Sequence, residues 1–519
     1  MSFKPTEEQI ASINLALEGK PFKVEAVAGS GKTSTVKLMA EALEGNCLYL
    51  AFNKAAASEA ASKMPFTTSC RTTHSIAYAK FGAPNRDKLS RPKGGYVNVA
   101  GTVKEITRLF KVTSIDGATA NVISRLAKQT VACFESSALF ELSESCLPLE
   151  AIYKLDAKAK KYAHAFSVSQ CKDRVLIVAK KLWAARIDLR SPVQMSHDTY
   201  LKLYQLSKPH LDYDAIFLDE AQDTSDCVID IVMRQKDHAQ VIAVGDSFQA
   251  IYGWRGAVNA LAKIKSKAIP LSQSFRYGPR VATVATQILD SKMVVRGFDK
   301  IDTLVQDVDT NKPYTHLFRT NVALIKEGVT QLQLGKKVKI DADIKGFLRL
   351  LDSMEALRAR DKRGVKHEDI VIFDDWEDLV EEADASGGEL KLLYKLLNSD
   401  NYHEVRKILA SYSPARKADV TLTTAHKSKG MEYEQVILAE DFPCVLDEEG
   451  NYTELHDMER NLLYVAATRA TLCLQLNQTT KDIIERREDV TDWGETITSR
   501  FKEKMVTNLK DLEKDCRLD

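Results

Sequence analysis

The stretch AVAGSGKT, Ala26 to Thr33, sets a lysine and a threonine behind two glycines. It follows the spacing G-x-x-x-x-G-K-[ST], with Ala26 in place of the first glycine. An apolar run, Phe22 to Val27, reads as a strand before it, and an amphipathic helix follows Lys32. That context turns the backbone of Ala26, Val27, Ala28, Gly29, Ser30, Gly31, Lys32, Thr33 and Ser34, together with a helix N-terminus, toward a phosphate chain. Lys32 would reach the β- and γ-phosphates, and Thr33 would be a ligand of Mg²⁺. Taken alone, a glycine-rich turn with a solvated lysine is the plainer alternative.

The other half of such a site needs a carboxylate for the metal and a base for water, both at the end of a neighbouring strand. YDAIFLDEAQD, Tyr213 to Asp223, supplies both types: an apolar strand ends in Asp219 and Glu220. Asp219 is the metal-side candidate and Glu220 the candidate base. Adjacent acids after a strand are more often a solvated edge, so this motif gains its meaning from the upstream loop.

The elements that must hold these residues recur along 519 positions, a length at which a single core stops growing. Short β-rich runs (FKVEAVAG, NCLYLAF, AIFLDE and QVIAVGD, then DVTLTTAH, EQVILAED and CLQLNQT) are separated by helical segments. The alternation predicts an α/β chain with two parallel sheets flanked by helices. Turn-rich seams are expected at Arg91 to Gly101, Ala385 to Leu390 and Ser411 to Asp419. Charge is balanced, 73 basic against 72 acidic residues, so any polyanion site must be a local groove. The nine cysteines form no CxxC pair, which points away from zinc knuckles and disulfide frameworks. With no apolar leader in MSFKPTEEQI and no run of roughly 20 apolar residues, a cytoplasmic or nuclear protein off the membrane is expected.

With DEAQD after the strand and alanine at the first loop position, the chain resembles the superfamily 1A helicases of the UvrD/Rep/PcrA branch. Within that branch it is most similar to the helicase part of F-box DNA helicases. Seven further stretches fall in the family's order: TEEQ (Thr6 to Gln9), LAFNKAA (Leu50 to Ala56), TTHS (Thr72 to Ser75), VGDSFQAIYGWRGA (Val244 to Ala257), LSQSFR (Leu271 to Arg276), TTAHKSKGMEYEQV (Thr423 to Val436) and NLLYVAATRA (Asn461 to Ala470).

The resemblance implies two RecA-like P-loop domains, each with an inserted, mainly helical subdomain. Residues 1–90 and 186–270 would form domain 1A, 91–185 insertion 1B, 271–340 and 416–519 domain 2A, and 341–415 a small insertion 2B. ATP and Mg²⁺ are then the expected ligands. Gln9 would read the adenine edge, Phe275 would stack on the base and Glu432 would meet the ribose. Gln249 would sense the γ-phosphate, and Arg276 and Arg469 would be the arginine fingers.

Single-stranded DNA and its junctions with duplex are the implied partners. On the first lobe the strand would meet Phe52, Asn53, Thr72 and His74, and on the second Thr424 and His426. Tyr252, Trp254 and Arg255 would add the stacking platform and a phosphate contact. AFNKAA departs from the UvrD pattern, which has a further residue between Phe and Asn. KAKKYAHAF (Lys158 to Phe166) is basic and aromatic, though a solvated helix face explains it as well. No F-box is expected before Gln9, nor a fused nuclease after Arg469.

The implied activity is ATP-dependent 3′ to 5′ movement on DNA with unwinding. Two alternatives stand beside it: a motor or protein-stripping subunit of a repair, recombination or defence complex, and an ATP-gated interaction module that does not translocate. RNA is the less favoured strand.

Overall fold

In the computed structural model, residues 4–89, 101–161, 165–253, 256–386 and 388–488 are described. Their strands are β1 (Phe22–Ala26), β2 (Cys47–Leu50), β3 (Thr68–Arg71), β4 (Ala215–Leu218), β5 (Thr224–Ser225), β6 (Gln240–Gly245), β7 (Ala257–Val258), β8 (Lys267–Leu271), β9 (Leu304–Val305), β10 (Tyr314–Phe318), β11 (Val338–Ile340), β12 (Val420–Thr424), β13 (Tyr433–Leu438) and β14 (Ala470–Gln475). They build two six-stranded sheets, β3-β2-β4-β6-β1-β8 and β11-β12-β10-β13-β14-β9, and a small antiparallel pair, β5-β7. Every pairing in the two large sheets is parallel.

Parallel strands need crossover helices on both faces, which is why Ala215–Leu218 of β4 and residues 241–244 of β6 are unbroken apolar runs with all residues buried. The seven strand-like runs of the sequence all lie in these sheets. Five short strands, β3, β8, β9, β10 and β11, were not legible: β3 and β11 are edge strands of three or four residues, and TSCR has no apolar alternation.

The strand order puts β1, β6 and β4 side by side, with Glu25 opposite Gly245 and Leu218 opposite Ala243. Being parallel, they end at one edge, and the loop after β1, Asp246 after β6 and Asp219 after β4 meet there. One apolar core crosses between the lobes: Val27 and Ala28 of the loop, with Ile251, pack with Leu462–Ala467 and the helix Pro279–Ile288. The phosphate loop is therefore seated partly on the second lobe.

Between β3 and β4 lie long helices, including Ala120–Ser136, Leu149–Lys161 and Val168–Ile187, with their own core. Between β11 and β12 lie Ile344–Arg358, Trp376–Ser386, Gly388–Leu397 and Tyr402–Ser411. The glycine-rich seam Ala385 to Leu390 thus falls inside a run of helices, not at the edge of a lobe. Ser411 to Asp419 does join helix to sheet; most of Arg91 to Gly101 lies outside the described residues.

The two helical layers touch through ion pairs of one polarity, cations on the first and anions on the second. Lys128 meets Glu368 at 2.6 Å, Lys161 meets Glu381 at 2.7 Å, Arg125 meets Asp369 at 3.9 Å, and Lys158 pairs with Asp378. Behind them is a cavity of about 1930 Å³ whose wall also includes Lys427 of the second lobe. Such solvent-reached pairs are worth under about 1 kcal/mol each.

The contact between the layers should accordingly be salt-labile. Fluorescence transfer between labels on the two layers should fall as salt rises to about 1 M, where the screening length is about 3 Å. Lys158→Glu should lower it at ordinary salt, and adding Asp378→Lys to that variant should restore it.

Candidate nucleotide site and strand-binding surface

Gly31, at φ 77°, ends the loop and caps the helix Lys32–Ala42 with no side-chain hydrogen bond, so the first N–H groups of that helix are open to an anion. Gly29 also has φ 77°, and a Cβ there would lie 2.7 Å from both Arg276 Cβ and Ser274 Oγ. The second lobe closes tightly on this loop: Ser274 Oγ donates to Ala28 O at 2.8 Å, and Phe275 N to Gly29 O at 2.8 Å.

Lys32 Nζ lies 3.4 Å from Glu220 Oε1, with both side chains largely buried. Burial opposes the ammonium charge, but Glu220, Asp246 and Asp219 outweigh it and raise the lysine's pKa. Burial and then the neighbouring Glu220 push Asp219 up to about 6. Glu220 goes the other way: although burial opposes its charge, Lys32 and Lys429 bring it down to about 2. The expected base is thereby held ionised beside a carboxylate that keeps its proton to a higher pH than usual. Glu220 also has φ 48°, a left-handed backbone rare outside glycine, which turns its side chain out of the line of β4. Its other oxygen accepts from Gln222 Nε2, while Gln222 Oε1 accepts from Asp246 N at 3.0 Å.

Asp246 is buried and holds Gln249 by accepting from its Nε2 at 2.7 Å. The Tyr464 hydroxyl, from the second lobe, donates to Asp246 Oδ2 at 3.1 Å and accepts from Ala28 N–H at 3.0 Å. Lys429, also from that lobe, pairs with buried Asp223 and donates to Gln249 O at 2.5 Å. Tyr464, Lys429, Asp223 and Asp246 all stand in the motif stretches yet carry no expected role. Nothing in their spacing reveals a bridge formed only when the lobes meet.

Both arginines face the same crevice. Arg276 Nε donates to Glu432 Oε1 at 2.7 Å, so the residue expected at the ribose is paired with an expected finger. Arg469 is buried, and its guanidinium donates to Val465 O at 2.8 Å, Thr468 Oγ1 at 3.0 Å and Met431 O at 3.3 Å. Burial, and then Arg276, lower its pKa to about 10. Gln9 and Phe275 sit beside Gly31: a Cβ on that glycine would be 3.5 Å from Gln9 Nε2 and 3.8 Å from Phe275 Cδ2. The Gln9 amide is engaged, accepting from Thr6 N at 3.0 Å and donating to Thr35 Oγ1 at 3.0 Å.

Ser30 Oγ, Asp219 Oδ1 and Asp223 Oδ1 are buried here without a hydrogen-bond partner. An orphaned carboxylate oxygen on Asp219 suits a hard divalent cation, and the open helix N-terminus suits phosphate. The donor set therefore fits Mg²⁺ with a nucleoside triphosphate.

Among the residues expected to meet a strand, Phe52, 47% exposed, stacks parallel to Tyr252 at 6.2 Å between centroids. Tyr252 continues to His426 at 6.5 Å and donates its hydroxyl to His426 O at 3.1 Å. One aromatic row thus runs from the first lobe to the second. Asn53, Thr72 and Thr424 use their side-chain oxygens as helix N-caps, accepting from Ala56, Ser75 and Lys427 N–H. His74 pairs with Asp198 at 3.2 Å. Trp254 and Arg255 lie outside the described residues.

Two RecA-like sheets with a phosphate loop seated between them define a two-lobed helicase fold. Residues 9–255 match a family model described as an AAA domain, and 409–481 match the UvrD-like helicase C-terminal domain. The F-box DNA helicase 1 of Gallus gallus is 32% identical over 524 residues, covering 93% of this chain and 50% of that protein. The F-box DNA helicase protein 1 of Schizosaccharomyces pombe is 29% identical over 517 residues, covering 91% of this chain and 57% of its own length. The chain belongs to the UvrD-like superfamily 1 helicases, and it spans about half the length of these curated relatives.

Tyr464→Phe removes a phenol from a buried bridge and leaves the Ala28 N–H unpaired. The loss should be about 1–2 kcal/mol of unfolding free energy by denaturant titration, with a reduced turnover number for ATP in the same protein.

Proposed function

We propose that this chain is an ATP-driven 3′ to 5′ DNA helicase and translocase that moves on single-stranded DNA as its two lobes close and reopen. The observation that carries this reading is the meeting of both lobes at one crevice, Lys32, Asp219 and Glu220 from one side and Arg276 and Arg469 from the other, beside the aromatic row Phe52, Tyr252 and His426. Movement needs a nucleotide site and a strand site that share moving parts, and here the segment Asp246–Tyr252 belongs to both.

In this reading residues 1–90 and 186–270 form the first lobe, 271–340 and 416–519 the second, with insertions at 91–185 and 341–415. Thr33 and Asp219 would hold Mg²⁺. When bound, the ion neutralises charge across the phosphate oxygens. Lys32 leaves Glu220 for the terminal phosphates, which frees that carboxylate to orient water. Arg276, released from Glu432, and Arg469 turn toward the charge that develops on the γ-phosphoryl group, and Glu432 becomes available to the ribose. Gln249, fixed by Asp246, reports the state of that phosphate through its own carbonyl to Lys429 and through the chain to Tyr252. Phe52, Tyr252 and His426 offer faces on which bases stack without regard to sequence, and Trp254 would join them as the resemblance implies.

ATPase rate with and without single-stranded DNA, measured beside unwinding of 3′-tailed and 5′-tailed duplexes, tests the proposal. Stimulation by the strand and unwinding from the 3′ tail alone are expected. Stimulation without unwinding would favour a motor or protein-stripping subunit of a larger complex, and indifference to DNA would favour a nucleotide-gated interaction module. Arg469→Ala should lower the turnover number by roughly 10³, and Lys32→Ala and Glu220→Gln should abolish turnover; full DNA-stimulated unwinding by Glu220→Gln would refute the base assignment.

A further inference from the structure

Tyr49 stands on β2 beside β4, with β4 and β6 between it and the strand that leads into the loop, and Phe217 is its register partner. It is 1% exposed, and its ring belongs to the core around Phe22, Val36 and Met39. A leucine or phenylalanine would fill that space; a buried hydroxyl must find polar partners. The two it finds come from different parts of the chain. The phenol donates to Asp219 Oδ2, and the side chain of Thr33 lies close by the same phenol. Asp219 N–H also bonds to Leu50 O at 3.1 Å, so β2 grips that residue by backbone as well as by side chain. With Oδ2 tied to Tyr49, the remaining oxygen, Oδ1, is buried and without a hydrogen-bond partner.

We propose that Tyr49 is the positioning residue of the metal site, fixing Asp219 and Thr33 relative to each other so that one carboxylate oxygen is held free for the divalent cation. This rests on the nucleotide site argued above and extends it to a residue that touches neither phosphate nor water. Its physical basis is general: partners that hydrogen-bond to metal ligands orient them, and losing one typically weakens metal affinity about 10- to 100-fold. Without the phenol, the Asp219 carboxylate is free to rotate and Thr33 loses its link to β4. The phosphate-binding backbone of Gly29 to Lys32 is untouched.

The test uses the full chain, a fluorescent ADP analogue and no DNA, so that it reads binding apart from turnover or movement. Tyr49→Phe should bind the analogue without metal within about twofold of the parent, while the Mg²⁺ concentration for half-maximal enhancement rises about tenfold. An unchanged Mg²⁺ dependence in the folded variant overturns the proposal. Should that variant not fold, 3-fluorotyrosine placed at position 49 of the otherwise unaltered chain gives a second readout. Mn²⁺ added with ADP should broaden its ¹⁹F line beyond detection, and a line that stays sharp overturns the proposal equally. Lys32→Ala separates the two levels: analogue binding equal to the parent would remove the nucleotide site itself, and with it the basis for Tyr49.

Discussion

One ammonium group, Lys32, stands against three carboxylates, Glu220, Asp246 and Asp219, at the edge of a parallel sheet where burial leaves little solvent to screen them. A first lobe alone cannot neutralise that excess. Charges so close in a poorly hydrated place interact at several kcal/mol even with generous screening. Cations must therefore come from elsewhere, and the second lobe brings Lys429, Arg276 and Arg469. The imbalance gives the lobes a reason to meet and makes their meeting sensitive to whatever else enters the crevice.

Sheet topology follows from that need. Three acids and a phosphate loop converge because β1, β6 and β4 are neighbours and point the same way, although Ala26 and Leu218 are far apart along the chain. Small residues permit the approach. Gly29 admits Ser274 and Arg276, and a side chain on Gly245 would collide with Gln222 Oε1, the atom that holds Asp246. The apolar core shared by Val27, Ala28 and Leu462–Ala467 makes the loop answer to the second lobe by packing as well as by charge.

The residues proposed to meet a strand inherit the same arrangement. Lys429 reaches the Gln249 carbonyl and lies 5.3 Å from the Tyr252 ring centroid, so one side chain touches the nucleotide side and the aromatic row together. Shifts in the crevice thereby have a short mechanical route to Phe52, Tyr252 and His426. The helical layers above are joined to each other by exposed ion pairs, a contact that salt or a competing polyanion weakens far more readily than the buried network beneath.

Much of this was legible before any coordinates. The phosphate loop shows in its glycines, lysine and threonine, and the acidic pair shows by following an apolar strand, because local backbone demands write themselves into neighbouring residues. The apolar runs announced two parallel sheets for the same reason. Other features depend on residues distant in the chain. The Glu432 carboxylate that engages Arg276, the phenol of Tyr464 on Ala28, and Tyr49 behind Asp219 have no local signature, since each is set by a partner between 156 and 436 positions away. Local order thus determined which chemical groups the protein owns, whereas only tertiary packing, within each sheet and between the two, decided which of them meet, because burial and charge pairing act across space and leave no period in the sequence.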